Sequence, residues 1–510
     1  MSAPRLSEFV KVNDVRGLVP EQLTPQVCAA IGAAFADVIA LPDGSRSMVV
    51  GHDMRPSSPT LSRAFAEGLA SRGVDVTLIG LCSTDEMYFA SGWLDRPGAM
   101  FTASHNPAQY NGIKLCRSGA RPVGSETGLP DVRDAAQSSL DAAEAAKPAG
   151  SAAAGSEAVG SEAAGSAVAS TPGTIGTRDV LGDYGRYLRD RVDLSASRPL
   201  KVVVDAGNGM AGHTVPAVLD TGAGLPALPL EIVSLYFELD GTFPNHEANP
   251  LDPKNLVDLQ RAVLEHRADI GLAFDGDADR CFVVDERGEP VNPSSISGLV
   301  ASREIAKALS DSGREGTKPT VVHNAIVSAA VPEVIAEAGG VAVRSRVGHS
   351  FIKALMAEHD AVFGCEHSAH YYFRDFWFAD TGMLAGLHVL AALGEQSGPL
   401  SELVSAFARY VASGEINSAV TDQAASTAKV RAWAQGRDVQ LDELDGLTIT
   451  HDRPDRHDTT HGEPFWWANV RPSNTEPLLR LNVEAADTAT MEQVRDAVLA
   501  VLREPEADPV

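Results

Sequence analysis

Strand-like segments alternate with helix-like segments along most of this chain, and this alternation restricts the possible folds more than any other feature. Between residues 47 and 80, SMVVGHD and DVTLIG enclose the helical pattern TLSRAFAEGLASRG. The same order begins again at LKVVVDAGNG and at KPTVVHNAI. Strand–helix–strand units of this length predict α/β layers with largely parallel sheets.

The C-terminal part of the chain has a different pattern. WWANVRPSNTEPLLRLNVEA has the pattern of a strand, a loop and a strand, and the helical pattern TMEQVRDAVLAVLRE follows it. This order predicts a smaller α+β domain. Because a domain usually has about 100 to 200 residues, the 510 residues suffice for about three to five domains.

One internal segment, residues 142–178, is rich in Ala, Gly and Ser. Glycine recurs there every five residues, at Gly150, Gly155, Gly160 and Gly165. A segment with so few large apolar side chains cannot contribute to a core. We therefore expect a linker or a surface insertion there.

Charge and composition exclude several classes of function. The net charge of −26 argues against nucleic acid as a partner, because binding to phosphate backbones needs dense Lys and Arg. The N-terminal MSAPRLSEFVKVNDVRG does not resemble a signal peptide. We find no apolar run of the roughly 18 residues that a membrane span needs. A small anionic substrate remains compatible, since it needs positive charge only locally.

The cysteines indicate a reducing compartment. The five of them are scattered, their number is odd, and no CxxC pair occurs; they are Cys28, Cys82, Cys116, Cys281 and Cys365. This usage predicts reduced thiols in a cytoplasmic protein.

Three aspartates alternate in the segment IGLAFDGDADRCFVVDERG. Asp275, Asp277 and Asp279 can therefore project their carboxylates to one side of a tight loop. Crowded carboxylates repel one another unless a cation lies among them. A solvated acidic turn is the alternative, but the strand-like surroundings make unpaired carboxylates costly. We favour a catalytic site for a hard cation, most simply Mg²⁺.

An EF-hand calcium loop is a further alternative for the same segment. Glu286 completes the ligand spacing, but Arg280 occupies the position that requires glycine. The flanking segments also have strand patterns, where an EF-hand needs helices.

Ser104 lies in FTASHNPAQYNGIKL, where a strand pattern ends and turn-forming residues begin. A hydroxyl on such a loop is a candidate nucleophile, although an ordinary hydrogen-bonding serine is the commoner case. No GxSxG elbow surrounds it. His105 is its neighbour, and adjacent side chains on an extended loop point apart, which argues against a Ser–His dyad. A serine and a Mg²⁺ site together suggest phosphoryl transfer.

Two further motifs contain polar groups suited to a sugar phosphate. In VRPSNTEPLLRL, Arg471, Ser473, Asn474 and Thr475 offer donors for a phosphate, although S-x-x-E is also a helix cap. GCEHSAHYYF contains Glu366, Ser368 and His370 at alternate positions, suited to sugar hydroxyls and expected to share one side. His367 and His370 could be metal ligands, but no third soft ligand stands nearby for zinc.

TASHNP, DGDADR, CEHSAH and RPSNTEP occur in the order seen in the α-D-phosphohexomutase superfamily. The chain resembles most closely its bacterial phosphomannomutase/phosphoglucomutase branch, over nearly its whole length. The resemblance implies four domains around a central cleft, namely three related α/β domains with mixed sheets and a C-terminal α+β phosphate-binding domain. The implied boundaries are 1–141, 179–292, 293–400 and 401–510, with residues 142–178 as the linker or insertion.

The resemblance also implies an activity and its cofactors. Such an enzyme interconverts hexose 1-phosphate and hexose 6-phosphate of mannose, glucose or both, through a phosphoserine and a bound hexose 1,6-bisphosphate, with Mg²⁺. We expect hexose phosphates as partners, no nucleic acid or membrane, and a monomer or weak dimer.

The resemblance assigns roles to residues by motif. The implied catalytic residues are the phosphorylated Ser104, Arg16, Lys114, Arg280 and His349. The implied metal ligands are Asp275, Asp277, Asp279 and an oxygen on Ser104. The implied substrate-binding residues are Gly348, Glu366, Ser368, His370, Arg471, Ser473, Asn474 and Thr475.

Four positions depart from the family pattern. Asn13 stands where tyrosine is usual and Ile326 where we align a lysine; Cys365 replaces a common glycine, and His367 replaces methionine or glutamine. These departures concern the choice of sugar and the level of activity.

Three alternative functions remain open. Phosphoglucosamine mutase is one, although Asn474 favours the mannose/glucose branch, since the loop of that enzyme more often has glycine there. The others are a sugar-phosphate-binding protein without turnover and a Mg²⁺-dependent sugar phosphatase.

Overall fold

The first part of the chain alternates strands and helices as its sequence pattern predicts. The computed structural model describes residues 4–146, 171–310, 316–473 and 478–503. The strands of this part are β1 (Val15–Leu18), β2 (Ser47–His52), β3 (Asp75–Leu81), β4 (Gly98–Phe101), β5 (Tyr110–Arg117), β6 (Arg121–Pro122) and β7 (Ile175–Thr177). Its α-helices are α1 (Pro25–Phe35), α2 (Ser58–Ala70), α3 (Thr84–Leu94) and α4 (Leu129–Ala145).

These strands form one mixed sheet in the order β1-β5-β4-β2-β3-β7, with β6 paired to β5. The pairs of β2 with β3 and β4, and of β3 with β7, are parallel, whereas β5 runs antiparallel to β1 and β4. The apolar side chains of β2 and β4 are buried, which explains their continuous hydrophobic runs. Because β2 and β4 are parallel neighbours, the loops at their carboxyl ends lie at the same edge of the sheet.

The second part repeats this architecture with fewer strands. Its elements are α5 (Leu181–Arg189), β8 (Leu200–Asp205), α6 (Ala211–Val218), β9 (Leu230–Leu235), α7 (Val257–His266), β10 (Ile270–Phe274), β11 (Cys281–Asp285) and β12 (Pro290–Val291). Strand β8 pairs in parallel with β9 and β10, and β10 pairs antiparallel with β11. The last pair of that hairpin is Phe274 with Cys281, so residues 275–280 form its connecting loop.

The third part begins with a long helix and a parallel sheet. Its elements are α8 (Pro293–Ser310), β13 (Thr320–Asn324), α9 (Ala330–Glu337), β14 (Val341–Ser345), α10 (His349–His359), β15 (Phe363–Cys365), β16 (Tyr371–Phe373), β17 (Ala379–Asp380) and α11 (Gly382–Gly394). Strand β13 pairs in parallel with β14 and β15, and β16 forms an antiparallel pair with β17.

The fourth part is an antiparallel sheet with two longer helices. Its elements are α12 (Leu400–Ser405), β18 (Val411–Ala419), α13 (Gln423–Ala434), β19 (Gln440–Asp442), β20 (Leu447–His451), β21 (Trp466–Pro472), β22 (Leu478–Ala485) and α14 (Thr488–Leu502). The strand order is β18-β22-β21-β20-β19. Apolar residues of β20, β21, β22 and α14 form its core.

The chain divides into two compact units. Unit 1 consists of Met1–Pro290 and His370–Pro399, and unit 2 of Val291–Ala369 and Leu400–Val510. The predicted fold class, three α/β domains followed by an α+β domain, is confirmed. Every helix of the described residues is too short or too polar to cross a bilayer.

The predicted linker 142–178 is too long at both ends. Helix α4 continues to Ala145, because DAAEA is a good helix-forming sequence. On the other side Ile175 pairs with Val76 of β3, so β7 belongs to the first sheet. Residues 147–170, which contain the glycine repeat, lie outside the described residues.

Candidate active site

The loop after β4 carries Ser104 in a left-handed backbone conformation, with φ of 50°. The backbone N–H of Ser104 donates a hydrogen bond to Thr102 Oγ1 at 2.9 Å. A left-handed conformation costs energy for a residue other than glycine and persists only where the surroundings hold it. The loop therefore presents the buried Ser104 hydroxyl at one defined position.

Ser104 contacts the acidic loop between β10 and β11. Its Oγ donates to Asp275 Oδ2 at 2.8 Å. A Cβ added at Gly276 would lie 2.5 Å from the carbonyl oxygen of Ser104, so a glycine is required at this close approach. The structure thus brings together the serine and the acidic loop that the sequence suggested as partners.

The three aspartates of this loop form a buried cluster. One oxygen from each of Asp275, Asp277 and Asp279 lies within 4.8 Å of the others. Among the described residues, Asp277 Oδ1 and Asp279 Oδ1 are buried without a hydrogen-bond partner. Unused carboxylate oxygens at this spacing are the donors that Mg²⁺ prefers, so the residues fit that ion. The flanking β-strands exclude the EF-hand alternative.

Lys114 supplies positive charge to the same cluster. Its Nζ donates to Asp277 Oδ2 at 2.6 Å and to Asp279 Oδ2 at 2.5 Å. Burial alone would lower the pKa of Lys114, but the two carboxylates hold it well above its usual value. Burial tends to raise the pKa of Asp277, yet Lys114 and its other donors bring it below the usual range.

The pKa of Asp275 is shifted in the opposite direction from that of Asp277. Burial raises the pKa of Asp275 to about 7, with a further increase from the charges of Asp279 and Asp277, although Arg280 opposes the shift. The Nε of Arg280 donates to Asp275 Oδ2 at 3.0 Å. The oxygen that accepts from Ser104 is thus shared with a buried arginine.

His105 lies closer to Ser104 than the sequence predicted. The expectation that their side chains point apart is wrong, because Ser104 is left-handed rather than extended; its Oγ lies 3.3 Å from His105 Nδ1. That nitrogen is also 2.6 Å from Nη2 of Arg280, a donor only. Burial and the cations Arg280 and Arg16 hold the pKa of His105 well below its usual value. A Ser–His dyad remains unsupported, because Arg280 occupies the acceptor nitrogen.

Arg16 comes from β1, beside the serine loop. Its Nη1 donates to Asn106 Oδ1 and its Nη2 to Asp14 Oδ2, both at 2.6 Å. The structure therefore places this sequence-predicted residue next to the loop that carries Ser104.

His370 contacts the acidic loop and Asp380. Its backbone forms an isolated antiparallel bridge with Arg280, and its Nδ1 lies 3.1 Å from Asp380 Oδ2 and 3.9 Å from Asp279 Oδ1. Burial would lower the pKa of His370, but these carboxylates raise it. Ala369, just before His370, has a φ of 64°, so the chain turns there; a shared side for Glu366, Ser368 and His370 stays a prediction.

Glu366 lies at the end of β15 in unit 2 and is buried. Its Oε1 accepts from the backbone N–H of Gly348 at 2.9 Å and from Asn324 Nδ2 at 3.3 Å. Gly348 has a φ of 130° and precedes α10, whose first residue is His349. Ser368 is half-buried in the loop that follows Glu366. The structure thus brings Gly348 to Glu366.

One of the four departures from the family pattern, Ile326, has a structural explanation. Ile326 packs in a small apolar cluster with Phe465 and Trp467, where a charged lysine would be costly to bury. Nδ1 of His367 lies 3.1 Å from Asn324 Nδ2. The Cys365 thiol is buried, which raises its pKa to about 12. Asn13 is half-buried near the start of β1.

Two arginines form a cationic pair in unit 2. Arg471 and Arg480 are direct cross-strand neighbours on β21 and β22, and Glu415 bridges them, with Oε2 2.8 Å from Arg471 Nη2 and Oε1 3.1 Å from Arg480 Nη1. Both Nε groups are buried without a hydrogen-bond partner among the described residues. Ser473 Oγ accepts from Arg480 Nη2 at 3.3 Å. This arrangement fits an anion such as a phosphate.

Two of the four residues predicted to bind a phosphate, Arg471 and Ser473, lie among the described residues. Both lie at the arginine pair. The backbone N–H of Ser473 donates to the carbonyl oxygen of Leu478, the first residue of β22, and not to a residue of a helix. Asn474 and Thr475 lie outside the described residues.

Sequence reasoning missed two residues that contact these groups. The Oγ1 of Thr84 donates to Asp277 Oδ2 at 2.5 Å. Arg480 pairs with Arg471 through sheet register. Neither has a local sequence signal, although Arg480 interrupts the apolar LLRL pattern of its strand.

Four family models match consecutive parts of the chain. They describe phosphoglucomutase/phosphomannomutase α/β/α domains I, II and III at residues 8–139, 183–288 and 299–410, and the C-terminal domain at residues 415–501. This chain belongs to the phosphoglucomutase/phosphomannomutase family. The predicted resemblance is confirmed.

Similar members of the phosphoglucomutase/phosphomannomutase family extend over the same length. A protein named "Phosphohexose mutases" from Xanthomonas campestris pv. campestris is 40% identical over 488 residues, which cover 95% of this chain and 96% of that protein. The phosphomannomutase of Salmonella typhimurium is 38% identical over 501 residues, covering 97% and 98%. The chain is accordingly an enzyme, an intramolecular phosphotransferase acting on hexose phosphates.

Solved structures of the phosphoglucomutase/phosphomannomutase family and its wider superfamily share the fold. A family member from Burkholderia thailandensis superposes with a TM-score of 0.78 at 27% identity, covering 98% of both chains. The N-acetylphosphoglucosamine mutase of Aspergillus fumigatus, solved with GlcNAc-6P and magnesium, superposes with a TM-score of 0.58 at 14% identity, covering 99% of both. At 14% identity, the second similarity shows the fold alone.

Proposed function

We propose that this enzyme interconverts the 1-phosphates and 6-phosphates of mannose, glucose or both, through a phosphorylated Ser104 and a hexose 1,6-bisphosphate. The observation that carries the proposal is the 2.8 Å hydrogen bond from Ser104 Oγ to Asp275, inside a buried cluster of three carboxylates. A binding protein needs neither a strained serine nor buried carboxylates with unused oxygens. Phosphoryl transfer needs both a nucleophile and a cation site beside it.

The reaction consists of two transfers that balance each other. In the first, a sugar hydroxyl forms a bond to the phosphorus on Ser104 while the bond from phosphorus to Oγ breaks. The sugar hydroxyl loses a proton, Ser104 Oγ gains one, and the product is the bisphosphate. In the second, Ser104 Oγ takes the other phosphoryl group and releases the isomeric monophosphate. Phosphate and protons are therefore conserved over the cycle.

The residues around Ser104 supply charge for these transfers. Arg280 and Lys114 are buried cations whose positions are fixed by the aspartates, so they can stabilise negative charge on a moving phosphoryl group without rearranging. Asp275, Asp277 and Asp279 would hold Mg²⁺, together with an oxygen on phosphorylated Ser104. The ion, when bound, would act as a Lewis acid toward phosphoryl oxygens.

Recognition of the substrate is assigned to other residues. Arg471, Arg480 and Ser473 form a cationic cluster suited to the phosphate that does not react, and the family motif adds Asn474 and Thr475. The motif also assigns sugar-hydroxyl contacts to Gly348, Glu366, Ser368 and His370, and catalytic roles to Arg16 and His349. Relatives named phosphomannomutase favour mannose among the substrates.

A coupled assay tests this proposal. Mannose 1-phosphate and glucose 1-phosphate are supplied with Mg²⁺ and a trace of hexose 1,6-bisphosphate, and Ser104→Ala is assayed beside the native enzyme. We expect isomerisation by the native enzyme and none above background by the variant. Release of inorganic phosphate instead of the isomer would point to a phosphatase, and full activity of Ser104→Ala would exclude the phosphoserine.

A further inference from the structure

Arg55 lies between β2 and α2, in the loop beside the one that carries Ser104, and its side chain is completely buried. Asp53 orients it: Asp53 Oδ2 accepts from Arg55 Nε at 3.2 Å, and Asp53 Oδ1 accepts from the Arg55 backbone N–H at 3.0 Å. Ser58 Oγ donates to the same Oδ1 at 2.6 Å. The guanidinium is therefore fixed on its inner side.

The outer side of the Arg55 guanidinium binds only the serine loop. Nη2 donates to the carbonyl oxygens of Ser104 at 2.9 Å and Asn106 at 2.7 Å. Nη1 donates to those of Pro107 at 2.9 Å and Tyr110 at 3.0 Å. With the bond from Nε to Asp53, all five N–H groups of the guanidinium have acceptors.

Neighbouring groups pack against both the guanidinium and the backbone of Arg55. The ring of Phe243 lies over the guanidinium, with its centroid 5.1 Å from Cζ. A Cβ added at Gly241 would lie 2.7 Å from the Arg55 Cα, so the backbone is also closely packed.

We propose that Arg55 is a positioning residue for phosphoryl transfer at Ser104; this inference rests on the proposed function. Four carbonyl oxygens of one loop converge on a single planar cation, and this convergence determines the curvature of residues 104–110. The curvature includes the left-handed backbone of Ser104, which the loop would leave if the carbonyls lost their common donor. Arg55 thereby sets the distance from Ser104 Oγ to the acidic loop.

Lysine cannot replace Arg55 in this role. An ammonium has three donors on a single nitrogen, whereas the four carbonyls are reached from two nitrogens of a rigid fork. Arg55→Lys therefore keeps the positive charge but removes the two-nitrogen arrangement of donors, so this variant separates the effect of donor geometry from that of charge.

The test measures kcat, KM and the rate at which hexose 1,6-bisphosphate phosphorylates Ser104, followed by intact-protein mass. A displacement of the reacting atom by about 1 Å costs about 100-fold in rate. We expect Arg55→Lys to lose about this factor in kcat and in the phosphorylation rate. KM for the hexose phosphate should change by less than about threefold, because the groups assigned to substrate binding are elsewhere.

Arg72→Lys is the matched control. The side chain of Arg72 is 9% exposed and pairs with Asp37 at 3.4 Å. Arg72 precedes β3, at the opposite edge of the first sheet from the loop that carries Ser104. It should match Arg55→Lys in any loss of thermal stability but retain native kcat. If Arg55→Lys does not fold, Asp53→Asn, which disturbs the orientation of Arg55, replaces it, with a smaller loss in kcat expected.

Three results would overturn the inference. They are native kcat in folded Arg55→Lys, a loss that appears in KM rather than kcat, and an equal loss of kcat in Arg72→Lys. The failure of the proposed function is separate, since it would appear as absence of isomerisation by the native enzyme itself.

Discussion

The acidic loop of unit 1 and the arginine pair of unit 2 are built on opposite charges but follow one rule. In the loop, three buried carboxylates are paired with two buried cations, Lys114 and Arg280. In the pair, two guanidinium groups share one carboxylate, Glu415. Each region thus pairs most of its charged groups internally and contains one charged group more of one sign than of the other.

The two regions differ in which sign of charged group is in excess. The loop has one carboxyl group more than it has paired cations, and among the described residues two of its buried carboxylate oxygens have no hydrogen-bond partner, which suits a divalent cation. The arginine pair keeps a net positive charge and two buried Nε–H groups without partners, which suits a phosphate. The charge left after internal pairing, together with unpaired buried atoms, therefore indicates the ligand better than the number of charged residues does.

The largest expected effect comes from removing one carboxylate of the acidic loop. Asp277→Asn should lower kcat by about 1000-fold, because Mg²⁺, which would stabilise negative charge on the phosphoryl group, loses one of its proposed ligands. The dependence of the rate on Mg²⁺ concentration should weaken at the same time. Steady-state kinetics over a Mg²⁺ titration measures both.

Asp285→Asn is the control for that experiment. Asp285 is also a buried aspartate, at the far end of β11, and it pairs with Arg287. It should affect stability but leave the Mg²⁺ dependence unchanged. Equal behaviour of the two variants would show that burial, and not the remaining charge, determines the effect.

A smaller effect is expected from removing one guanidinium group of the arginine pair. Arg480→Gln should raise KM for the hexose phosphate by about tenfold, the value of one hydrogen bond to a charged group, with little change in kcat. Arg495→Gln is the matched control, since both arginine side chains are 28% exposed. A loss confined to kcat would contradict the assignment of the pair to substrate binding.

The smallest effect concerns a buried carboxyl, Asp85, which has no cation partner among the residues that the structure describes. Asp85 accepts from Tyr184 OH and Thr381 Oγ1 at 2.7 Å and from Ser83 Oγ, and burial raises its pKa to about 6. Because this pKa is higher in the folded state than in the unfolded chain, protonated Asp85 stabilises the fold at low pH, and that contribution is lost as pH rises through about 6. From pH 5 to pH 8 the loss should be about 1 kcal/mol.

Urea unfolding at pH 5 and at pH 8 measures this contribution of Asp85 to the free energy of unfolding. The native enzyme should lose about 1 kcal/mol relative to Asp85→Asn between pH 5 and pH 8, since the amide does not titrate. A difference of the opposite sign would show that the three donors outweigh burial, and the contrast with Asp277, whose pKa Lys114 and other donors lower, would disappear.

The parts of the site that the sequence predicted are those with a local pattern. Alternation in DGDADR predicted the cluster of Asp275, Asp277 and Asp279, although Ala278, which lies between two of them, has a left-handed backbone. A left-handed residue, Ala369, also separates Glu366 from His370, for which a shared side stays a prediction. A positive φ at a single alanine sets the path of each loop, and nothing in the residue types reveals it.

Contacts set by sheet register or by loop packing could not be predicted from one sequence. Arg480 meets Arg471 only because β21 and β22 pair in a particular register. Arg55 is 49 residues from Ser104 along the chain, and its four carbonyl acceptors carry no sequence signature. The fold class was predictable because periodicity repeats over many residues, whereas these contacts depend on single long-range pairings.

The approach at Gly276 has a consequence for how this enzyme can change over evolution. A methyl group at this position would collide with the backbone of the serine loop, 2.5 Å from its carbonyl oxygen. The two loops therefore cannot diversify independently, because an insertion or a bulkier residue in one moves the nucleophile carried by the other. Variation in a lineage that keeps the chemistry is confined to residues facing away from this backbone contact.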